Sequence, residues 1–449
     1  MKKIAIMMSL AAMMAMPAVR MSAEPAAKEA RQKIEKPSNI KFYGFIRNYF
    51  AYDTRESSAG TGDLFYYAPK DNNFNAAGED LNAISSFRFL SLTSRFGLDV
   101  TGYQFGRTKF GAKIETDFYS GLTAASSTKI NGTAQLRLRQ AYVTLGWDDM
   151  KMKNGTPIAV AMKIGQAWHP MAADQPHVFS LETGAPFNAF SRTPQVLADA
   201  SFGKNVILSA AALWQMQYQS QGPDKATSDY IKYSCVPEFY LGLTLKSNNG
   251  FLARIGTNLL SIKPRRYGTI QYEGDDMQVK VSDRITTMSP YVYLQYKSKM
   301  FEVKAKTIFS HGGEHMNLMS GYGISEKCDD GHYEYTPFKT SSTWASMSYG
   351  KKWQATLMGG YIKNLGTVDE LANPSDFYFS ANAPKYMNQM WRVIPAVCYN
   401  AGKFTLGLEY NYTAAQYGDG KTYTAHGLST EGLHTVENHR IQMLVKFTF

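Results

Sequence analysis

Apolar and polar side chains alternate with a period of two along many segments of the chain. In the C-terminal segment, apolar residues occupy the odd positions from Ile441 to Phe449, and polar residues occupy the even positions except Leu444. Successive side chains of a strand point to opposite faces, so this alternation predicts a strand with one apolar and one polar face. An amphipathic strand that ends a soluble domain would show the same local pattern.

Segments with this alternation recur from residue 40 to the end of the chain. Bounded by Gly, Asn and Ser clusters, they predict about sixteen strands. The predicted strands span residues 40–52, 85–101, 106–119, 134–147, 156–167, 193–202, 205–217, 234–246, 251–263, 284–297, 301–311, 339–349, 353–363, 387–399, 404–413 and 435–449.

The connections between the predicted strands alternate between short and long. The short ones, such as 202–205 and 247–250, carry the Gly and Asn residues that tight hairpins favour. The long polar ones span residues 53–84, 120–133, 168–192, 218–233, 264–283, 312–338, 364–386 and 414–434. A soluble sandwich does not need this alternation, whereas a transmembrane barrel has short periplasmic turns and long outer loops. The residues therefore predict an all-β fold, a transmembrane antiparallel β-barrel of about sixteen strands.

Within several predicted strands, the charged residues occupy alternate positions and therefore lie on one face. In segment 106–119 the expected lipid-facing positions are Phe110, Ala112, Ile114, Thr116 and Phe118, and the expected inward positions are Gly111, Lys113, Glu115 and Asp117. A charge that faces lipid at mid-membrane costs about 2–4 kcal/mol, so this separation predicts a hydrated interior. Segments 158–164, 301–306 and 404–409 follow the same rule.

One predicted strand conflicts with the parity rule. Arg137 and Arg139 share a face with Ala141, Val143 and Leu145 if the strand is regular. Either those apolar residues also point inward, or a β-bulge changes the parity within the strand. The sequence leaves both possibilities open.

The N-terminal segment has the features of a secretory signal peptide. Lys2 and Lys3 precede a mainly apolar run that ends at Met16, and small residues follow. We expect a signal peptide at residues 1–23, cleaved after Ala23, with Ala18 as the alternative. Residues 24–39 predict a short periplasmic helical stub, and residues 40–449 form the predicted barrel domain.

Composition narrows the possible partners. The formal net charge is +11, and loss of the three basic residues of the signal peptide lowers it to +8. This excess favours anionic solutes and the phosphates of lipopolysaccharide. The sequence has no basic stripe interleaved with aromatic residues, so a nucleic-acid partner is not expected. No cofactor is predicted. Cys235 and Cys328 fall near predicted outer loops, where they could pair, whereas Cys398 lies within a predicted strand.

Several segments resemble DcaP-like trimeric outer-membrane porins and the related general and phosphate-type porins. The matching segments are IKFYGFIR at 40–47, SRFGL at 94–98, AKIETDF at 112–118, LRLRQAYVTLG at 136–146, KIGQAWHP at 163–170, and the C-terminal strand. The resemblance implies a homotrimer of sixteen-stranded barrels in the outer membrane of a Gram-negative bacterium, in which the loop after strand five folds into the pore. It also implies that Phe449 is an assembly signal for the barrel-insertion machinery.

The resemblance places the pore constriction at loop 168–192. We expect this loop to contribute His169, Asp174 and Glu182 to the pore. Inward-facing residues of the strands would complete the constriction, and they are Arg47, Lys113, Glu115, Asp117, Arg137, Arg139 and Lys163. A ring of basic residues favours anions, but the intervening acidic residues would weaken the preference. Each basic residue could equally be a solvated lumen charge without a selective role.

The function expected from this pattern is a porin, a water-filled channel for passive diffusion of small hydrophilic solutes with a weak preference for anions. The main alternatives are a barrel enzyme of the lipase type and an adhesin or structural barrel. A lipase needs a Ser–His pair with an orienting third group. The sequence has four histidines that could serve, His311, His315, His332 and His439, but no nucleophile motif lies beside them. The segment from His311 to His315 is predicted to be a polar loop.

Overall fold

The structure is a computed structural model that describes residues 39–60, 65–119 and 134–449. The predicted signal peptide, nearly all of the predicted stub and the predicted loop at 120–133 lie outside the described residues. Among the residues that are described, no helix is long and apolar enough to cross a membrane.

Almost all of the regular secondary structure in the described chain is strand. They are β1 (Asn39–Asp53), β2 (Ser57–Gly60), β3 (Phe65–Pro69), β4 (Ser86–Leu90), β5 (Arg95–Phe105), β6 (Thr108–Tyr119), β7 (Gln135–Lys151), β8 (Pro157–Trp168), β9 (Arg192–Phe202), β10 (Val206–Leu213), β11 (Glu238–Lys246), β12 (Phe251–Ile262), β13 (Tyr267–Tyr272), β14 (Asp275–Lys280), β15 (Ile285–Lys297), β16 (Phe301–His311), β17 (Gly321–Lys327), β18 (Tyr333–Gly350), β19 (Trp353–Thr367), β20 (Phe377–Phe379), β21 (Met387–Ala401), β22 (Phe404–Tyr417) and β23 (His434–Thr448). One short helix, α1 (Asp229–Ser234), and two 3-10 turns (Pro170–Ala172 and Glu314–Met316) lie in the loops.

Sixteen antiparallel wall positions close into a barrel. Strand β1 pairs with β23 on one side and with β4 and β5 on the other, so the first and last strands form the closing seam. Strands β4 and β5 occupy one wall position, because β4 pairs with the end of β1 and β5 pairs with its beginning. The remaining short strands belong to loops. The predicted fold class and the strand count of sixteen are confirmed.

The two faces of the wall differ as the alternation predicts. On β6, Ile114 is 46% exposed on the outside, whereas its neighbour Glu115 is only 5% exposed in the lumen. The same separation holds on β22, where Leu408 is exposed and Glu409 is buried. An apolar outer band with polar groups inside is the arrangement that a lipid bilayer requires.

A β-bulge resolves the parity conflict on β7. Glu115 pairs with Gln140 and Thr116 pairs with Leu138, so Arg139 is the extra residue. The parity changes there, because Leu138 and Val143 are both exposed on the outer face although one has an even number and the other an odd one. The bulge therefore lets Arg137 and Arg139 both face the lumen.

The lumen is not empty, because loops fold into it and form an apolar core. Buried side chains of the wall strands, including Trp344 and Met358, pack there with Phe187 from the loop after β8 and with Met319 from the loop after β16. Strand β8 occupies the fifth position of the barrel wall, so the loop that follows it is the loop after strand five. The predicted inward fold of this loop is confirmed. A segment of the first loop, which includes Tyr67, also enters this core, and the sequence analysis did not predict it.

The cysteines do not form a disulfide in the described part of the chain. Cys235 and Cys328 are both free thiols, and Cys398 is a buried free thiol within β21.

Candidate functional site: a basic constriction in the lumen

We call residues 169–191 the constriction loop. The loop is closed at its neck, where the backbone N–H of His169 donates to the Ser191 carbonyl at 3.0 Å. From there it crosses the lumen to strand β18, where Ser342 Oγ donates to the Phe187 carbonyl at 2.8 Å and Trp344 Nε1 donates to Asn188 Oδ1 at 3.1 Å. The loop is therefore held by the opposite wall of the barrel.

Glycine permits the closest approach of the loop to that wall. A Cβ atom on Gly360 of β19 would lie 2.5 Å from the Phe187 ring, which is far inside van der Waals contact. The missing side chain thus leaves the space in which this ring packs.

The charged groups of the loop pair with the far wall. Asp174 forms an ion pair with Arg254 of β12. His177 Nε2 lies 2.8 Å from Glu302 Oε2 on β16. Lys304, on the same strand, donates to the Gln175 carbonyl at 3.4 Å. Asp174 is therefore neutralised by Arg254, on the side of the loop that lies against β12 and β16.

Glu182 lies beneath the loop rather than on its open face. Its carboxylate is fully buried, 3.5 Å from the guanidinium of Arg392 on β21. Arg392 also donates to the carbonyl of Ala185 at 3.1 Å and to the carbonyl of Tyr67 at 2.6 Å. One arginine therefore ties the constriction loop and the first loop to the wall.

His169 is also buried at the neck of the loop. Its Nε2 lies 3.1 Å from Glu238 Oε1, and His315 Nε2 approaches the same oxygen at 3.1 Å. Asn258 Nδ2 donates to that oxygen at 2.7 Å. This cluster joins two loops to β11 and β12, so His169 has a structural environment and does not line the open space.

A cavity of about 250 Å³ lies between the constriction loop and the part of the barrel wall that is formed by β23, β1 and β5–β9. We call this part the basic wall. Among the residues that the structure describes, six basic side chains line the cavity, contributed by β23, β1, β5, β7 and β9. They are Arg47, Arg95, Arg137, Arg139, Arg192 and Lys446. The structure thus brings together three of the basic residues singled out in the sequence and adds Arg95, Arg192 and Lys446. Lys446 could have been found, because it stands on the polar face of the last strand.

Two carboxylates bridge part of this basic wall. Arg139 contacts Glu115 at 2.9 Å and Asp117 at 2.6 Å. Arg137 donates two hydrogen bonds of 2.8 Å to Asp117, and Arg95 lies 3.5 Å from Glu115. Glu115 and Asp117 therefore organise the arginines, but two carboxylates do not neutralise six cations.

Arg47 and Arg192 reach the cavity without a carboxylate partner among the described residues. Arg47 Nε donates to Thr93 Oγ1 at 3.0 Å. Arg192 Nε donates to Gln217 Oε1 at 3.0 Å, but its Nη1 is buried and has no hydrogen-bond partner in the described part of the chain. An unpaired buried cation is costly, so this position favours the arrival of an anion.

Lys113 and Lys163 face the lumen but are not among the residues that line the cavity. Lys113 Nζ pairs with Asp99 at 2.9 Å and lies 4.7 Å from the centre of the Tyr43 ring. Lys163 Nζ lies 5.0 Å from the centre of the Tyr142 ring. Both lysines lie nearer the short turns than the arginine cluster does, because β6 and β8 run between those turns and the outer loops.

The histidines offer no arrangement of the lipase type in the part of the chain that is described. His315 contacts Glu238, His332 contacts Asp283, and His439 contacts the Tyr410 hydroxyl. No serine hydroxyl is hydrogen-bonded to these three imidazoles or to His311 within that part. A Ser–His pair with an orienting acid is the minimum that such chemistry needs.

A closed sixteen-stranded barrel with short turns, long loops and one loop folded into the lumen defines the porin fold. The chain is similar to the outer-membrane channel DcaP of Acinetobacter baumannii, with a TM-score of 0.60 and 19% identity over 92% of this chain and 97% of that chain. It is also similar to OmpT of Vibrio cholerae, with a TM-score of 0.51 and 11% identity over 93% of this chain and 100% of that one.

OmpF of Salmonella typhi, solved in complex with daunomycin, shares the fold at a TM-score of 0.50 and 10% identity over 91% of this chain and 97% of that chain. No protein-family model matches the chain, and no curated protein matches it. These similarities establish the fold, and at the level of the fold they confirm the resemblance to DcaP-like porins.

Proposed function

We propose that the protein is an outer-membrane porin, a water-filled channel through which small hydrophilic solutes diffuse, with a preference for anions. The fold supports this proposal, because the outer face is apolar and charged side chains line the cavity that the loops leave inside the barrel. The signal peptide expected at residues 1–23 is consistent with export to the outer membrane of a Gram-negative bacterium.

The observation that carries the anion preference is the cluster of six basic side chains around the 250 Å³ cavity. Charges in a narrow, partly dehydrated passage act over distances shorter than the Debye length of about 8 Å at physiological salt, so solvent ions screen them only partly. Glu115 and Asp117 reduce the excess without removing it. The proposed preference is therefore weak to moderate rather than absolute.

The test is the reversal potential of the purified protein in planar bilayers under a potassium chloride gradient. We expect the wild-type protein to conduct with a reversal potential displaced toward that of chloride. The double variant Arg47→Gln and Arg192→Gln should move it toward potassium, because both cations lack a carboxylate partner. Lys204→Gln, in an exposed turn, is the matched control and should change nothing. A cation-selective wild-type channel, or no conductance, would contradict the proposal.

We also propose a homotrimer in which the outer face of β1 and β4 contacts a second copy. Ile40, Phe42, Ile46, Phe87 and Phe89 are all exposed there. OmpT of Vibrio cholerae has been solved in a trimer form. Crosslinking in mild detergent should yield trimers, and Phe87→Asp should weaken them. A protein that runs only as monomers would argue against this assembly.

The basic excess and the apolar outer face also support contacts with outer-membrane lipid and with the phosphates of lipopolysaccharide as part of the proposal.

A further inference from the structure

Strands β12 and β15 lie on the side of the barrel opposite the closing seam. Counted from β1, they are the ninth and tenth of the sixteen wall positions. Ile255, Leu259 and Met288 are exposed on their outer face. Because the proposed trimer contact is at β1 and β4, this outer face would contact lipid in the trimer as well as in a single barrel.

Toward the long loops, the outer face of these two strands changes from apolar to basic. Leu259 is exposed on β12, and the next outward residue is Ser261, which accepts a hydrogen bond of 3.0 Å from the Thr286 hydroxyl of β15. Beyond this pair of hydroxyl groups, the alternation places Lys263 and Arg284 at the next outward positions. The order along both strands is therefore apolar, hydroxyl and cationic.

This change falls at the height expected for the membrane surface. The outward positions of β12 from Phe251 to Ser261 span about 33 Å of strand, at roughly 3.3 Å per residue. A strand tilt of roughly 35–45° reduces this length to about 25 Å, which is the height of the apolar band of transmembrane barrels. Lys263 is the next outward residue, so it lies at the level of the lipid head groups.

A cavity of about 260 Å³ opens at this level, and we call it the rim cavity. In the described part of the chain, three basic and two aromatic side chains line it, contributed by α1, the loop after β12 and the β13–β14 hairpin. They are Tyr233, Lys263, Arg266, Tyr267 and Lys280. The lining therefore concentrates positive charge beside two aromatic rings.

The three cations of the rim cavity form no ion pair within the described residues, whereas neighbouring cations are paired. Arg265 Nη2 lies 2.6 Å from Asp283 Oδ2, and Lys232 Nζ lies 3.6 Å from Asp229 Oδ1. Like charges that converge on one space repel each other, and an anion between them would replace this repulsion by attraction. The rim cavity is thus electrostatically prepared for an anionic group.

Contacts among the loops hold the rim cavity in shape. The backbone N–H of Lys263 donates to the Tyr230 carbonyl at 3.0 Å, which joins α1 to the end of β12. The backbone N–H of Val281 donates to the Arg266 carbonyl at 3.2 Å, at the base of the hairpin. The Arg266 guanidinium lies 4.6 Å from the centre of the Tyr233 ring. A bound anion would therefore meet cations that are already positioned.

From this arrangement we propose that the rim cavity binds a phosphate group of lipopolysaccharide, the lipid of the outer leaflet of the outer membrane. The inference rests on the proposed outer-membrane function and assigns a place to the proposed lipopolysaccharide contact. Arginine and lysine donate charge-assisted hydrogen bonds to phosphate oxygens, and the tyrosine rings offer amphipathic surface to the sugar that carries the phosphate. The apolar band directly below, which includes Leu259 and Met288, would contact the acyl chains of the same molecule. This continuity favours a lipid-borne phosphate over free phosphate.

Titration of the purified full-length protein in detergent with fluorescent bisphosphorylated lipid A, followed by microscale thermophoresis, measures this binding without conduction. We expect the double variant Lys263→Gln and Arg266→Gln to bind about 25-fold more weakly, since each cation near an anionic lipid surface contributes roughly fivefold. The matched control is Lys351→Gln with Lys352→Gln, which removes the same charge from an exposed short turn at the opposite end of the barrel. The control should bind as the wild-type protein does, and both variants should keep the heat-modifiable migration of a folded barrel.

Two further ligands separate the phosphate from its carrier. Dephosphorylated lipid A should bind the wild-type protein as weakly as bisphosphorylated lipid A binds the Lys263 and Arg266 variant. Inorganic phosphate at the concentration of the lipid should not displace it. Undiminished binding in that variant, an equal loss in the control variant, or displacement by inorganic phosphate would overturn the inference. The channel function fails separately if the protein binds lipid A but does not conduct in planar bilayers.

Discussion

Two buried arginines in the lumen, Arg392 and Arg192, differ in whether all of their nitrogen atoms have partners. Arg392 is fully satisfied, because it contacts Glu182 and donates to Thr413, Ala185 and Tyr67. Arg192 keeps one nitrogen without a partner in the described part of the chain. The first arginine anchors two loops to the wall, and the second leaves a donor nitrogen open at the cavity.

We predict that Arg392→Ala widens the pore and destabilises the protein. Glu182 would become a buried carboxylate without its cation, and loss of one partner of a buried ion pair typically costs about 3–5 kcal/mol. The constriction loop and the first loop would both lose an anchor. Single-channel conductance should rise, and the temperature of thermal unfolding should fall. The exposed Lys352→Ala is the control. Unchanged conductance would show that the other contacts suffice to hold the loops.

At the scale of elements, the β7 bulge is what turns two neighbouring odd-numbered arginines inward. The pairing of β7 with β6 is regular on both sides of Arg139, and the outer residues Leu138 and Val143 are exposed. A local extra residue therefore builds the central part of the basic wall without interrupting the apolar outer band.

We predict that deletion of Arg139 removes the bulge without preventing barrel assembly. Leu138 and Gln140 already pair with the adjacent residues Thr116 and Glu115, so without the extra residue both halves of β7 keep their partners and their faces. The heat-modifiable migration of the folded barrel in gel electrophoresis should persist, as it should for the control variant Arg139→Ala. Loss of the folded barrel in the deletion variant alone would contradict the assignment of Arg139 as the extra residue of β7.

At the scale of the whole molecule, the barrel closes where its two ends meet. The backbone N–H of Phe449 donates to the Gly44 carbonyl at 3.0 Å, and its ring stacks on Phe42 with centroids 5.4 Å apart. The basic wall lies on the same side, since β23, β1, β5, β7 and β9 supply its basic residues. The opposite half supports the constriction loop, so the cavity lies beside the seam.

We predict that Phe449→Ser lowers the amount of protein in the outer membrane and increases its degradation in the periplasm. The substitution removes the stacking contact with Phe42 and, by the resemblance to porins, the mark that the insertion machinery reads. Quantitative blotting of outer-membrane fractions measures the effect. Phe404→Ser, at an exposed apolar position elsewhere on the outer face, is the control. Unchanged surface levels of Phe449→Ser would limit the terminal ring to packing.

The sequence by itself determined the barrel, its sixteen strands, the two faces of each strand and the alternation of short and long connections. These features are local, because the period of two and the turn residues are set by neighbours in the chain. The inward fold of the loop after strand five came from the resemblance to a family. The sequence predicted inward positions for Arg47, Arg137 and Arg139 and left the bulge open, and the structure places the three side chains at the cavity.

Only the tertiary structure decided which charges meet. Glu182 and His169 could not be recognised as buried, because their partners Arg392 and Glu238 lie far along the chain. Arg95, Arg192 and Lys446 converge on one cavity because the barrel closes and brings β23 beside β1 and β5. The face that the constriction loop turns to this cavity follows from the path of the loop across the lumen. That path depends on non-local contacts with the opposite wall, and no pattern within the loop contains them.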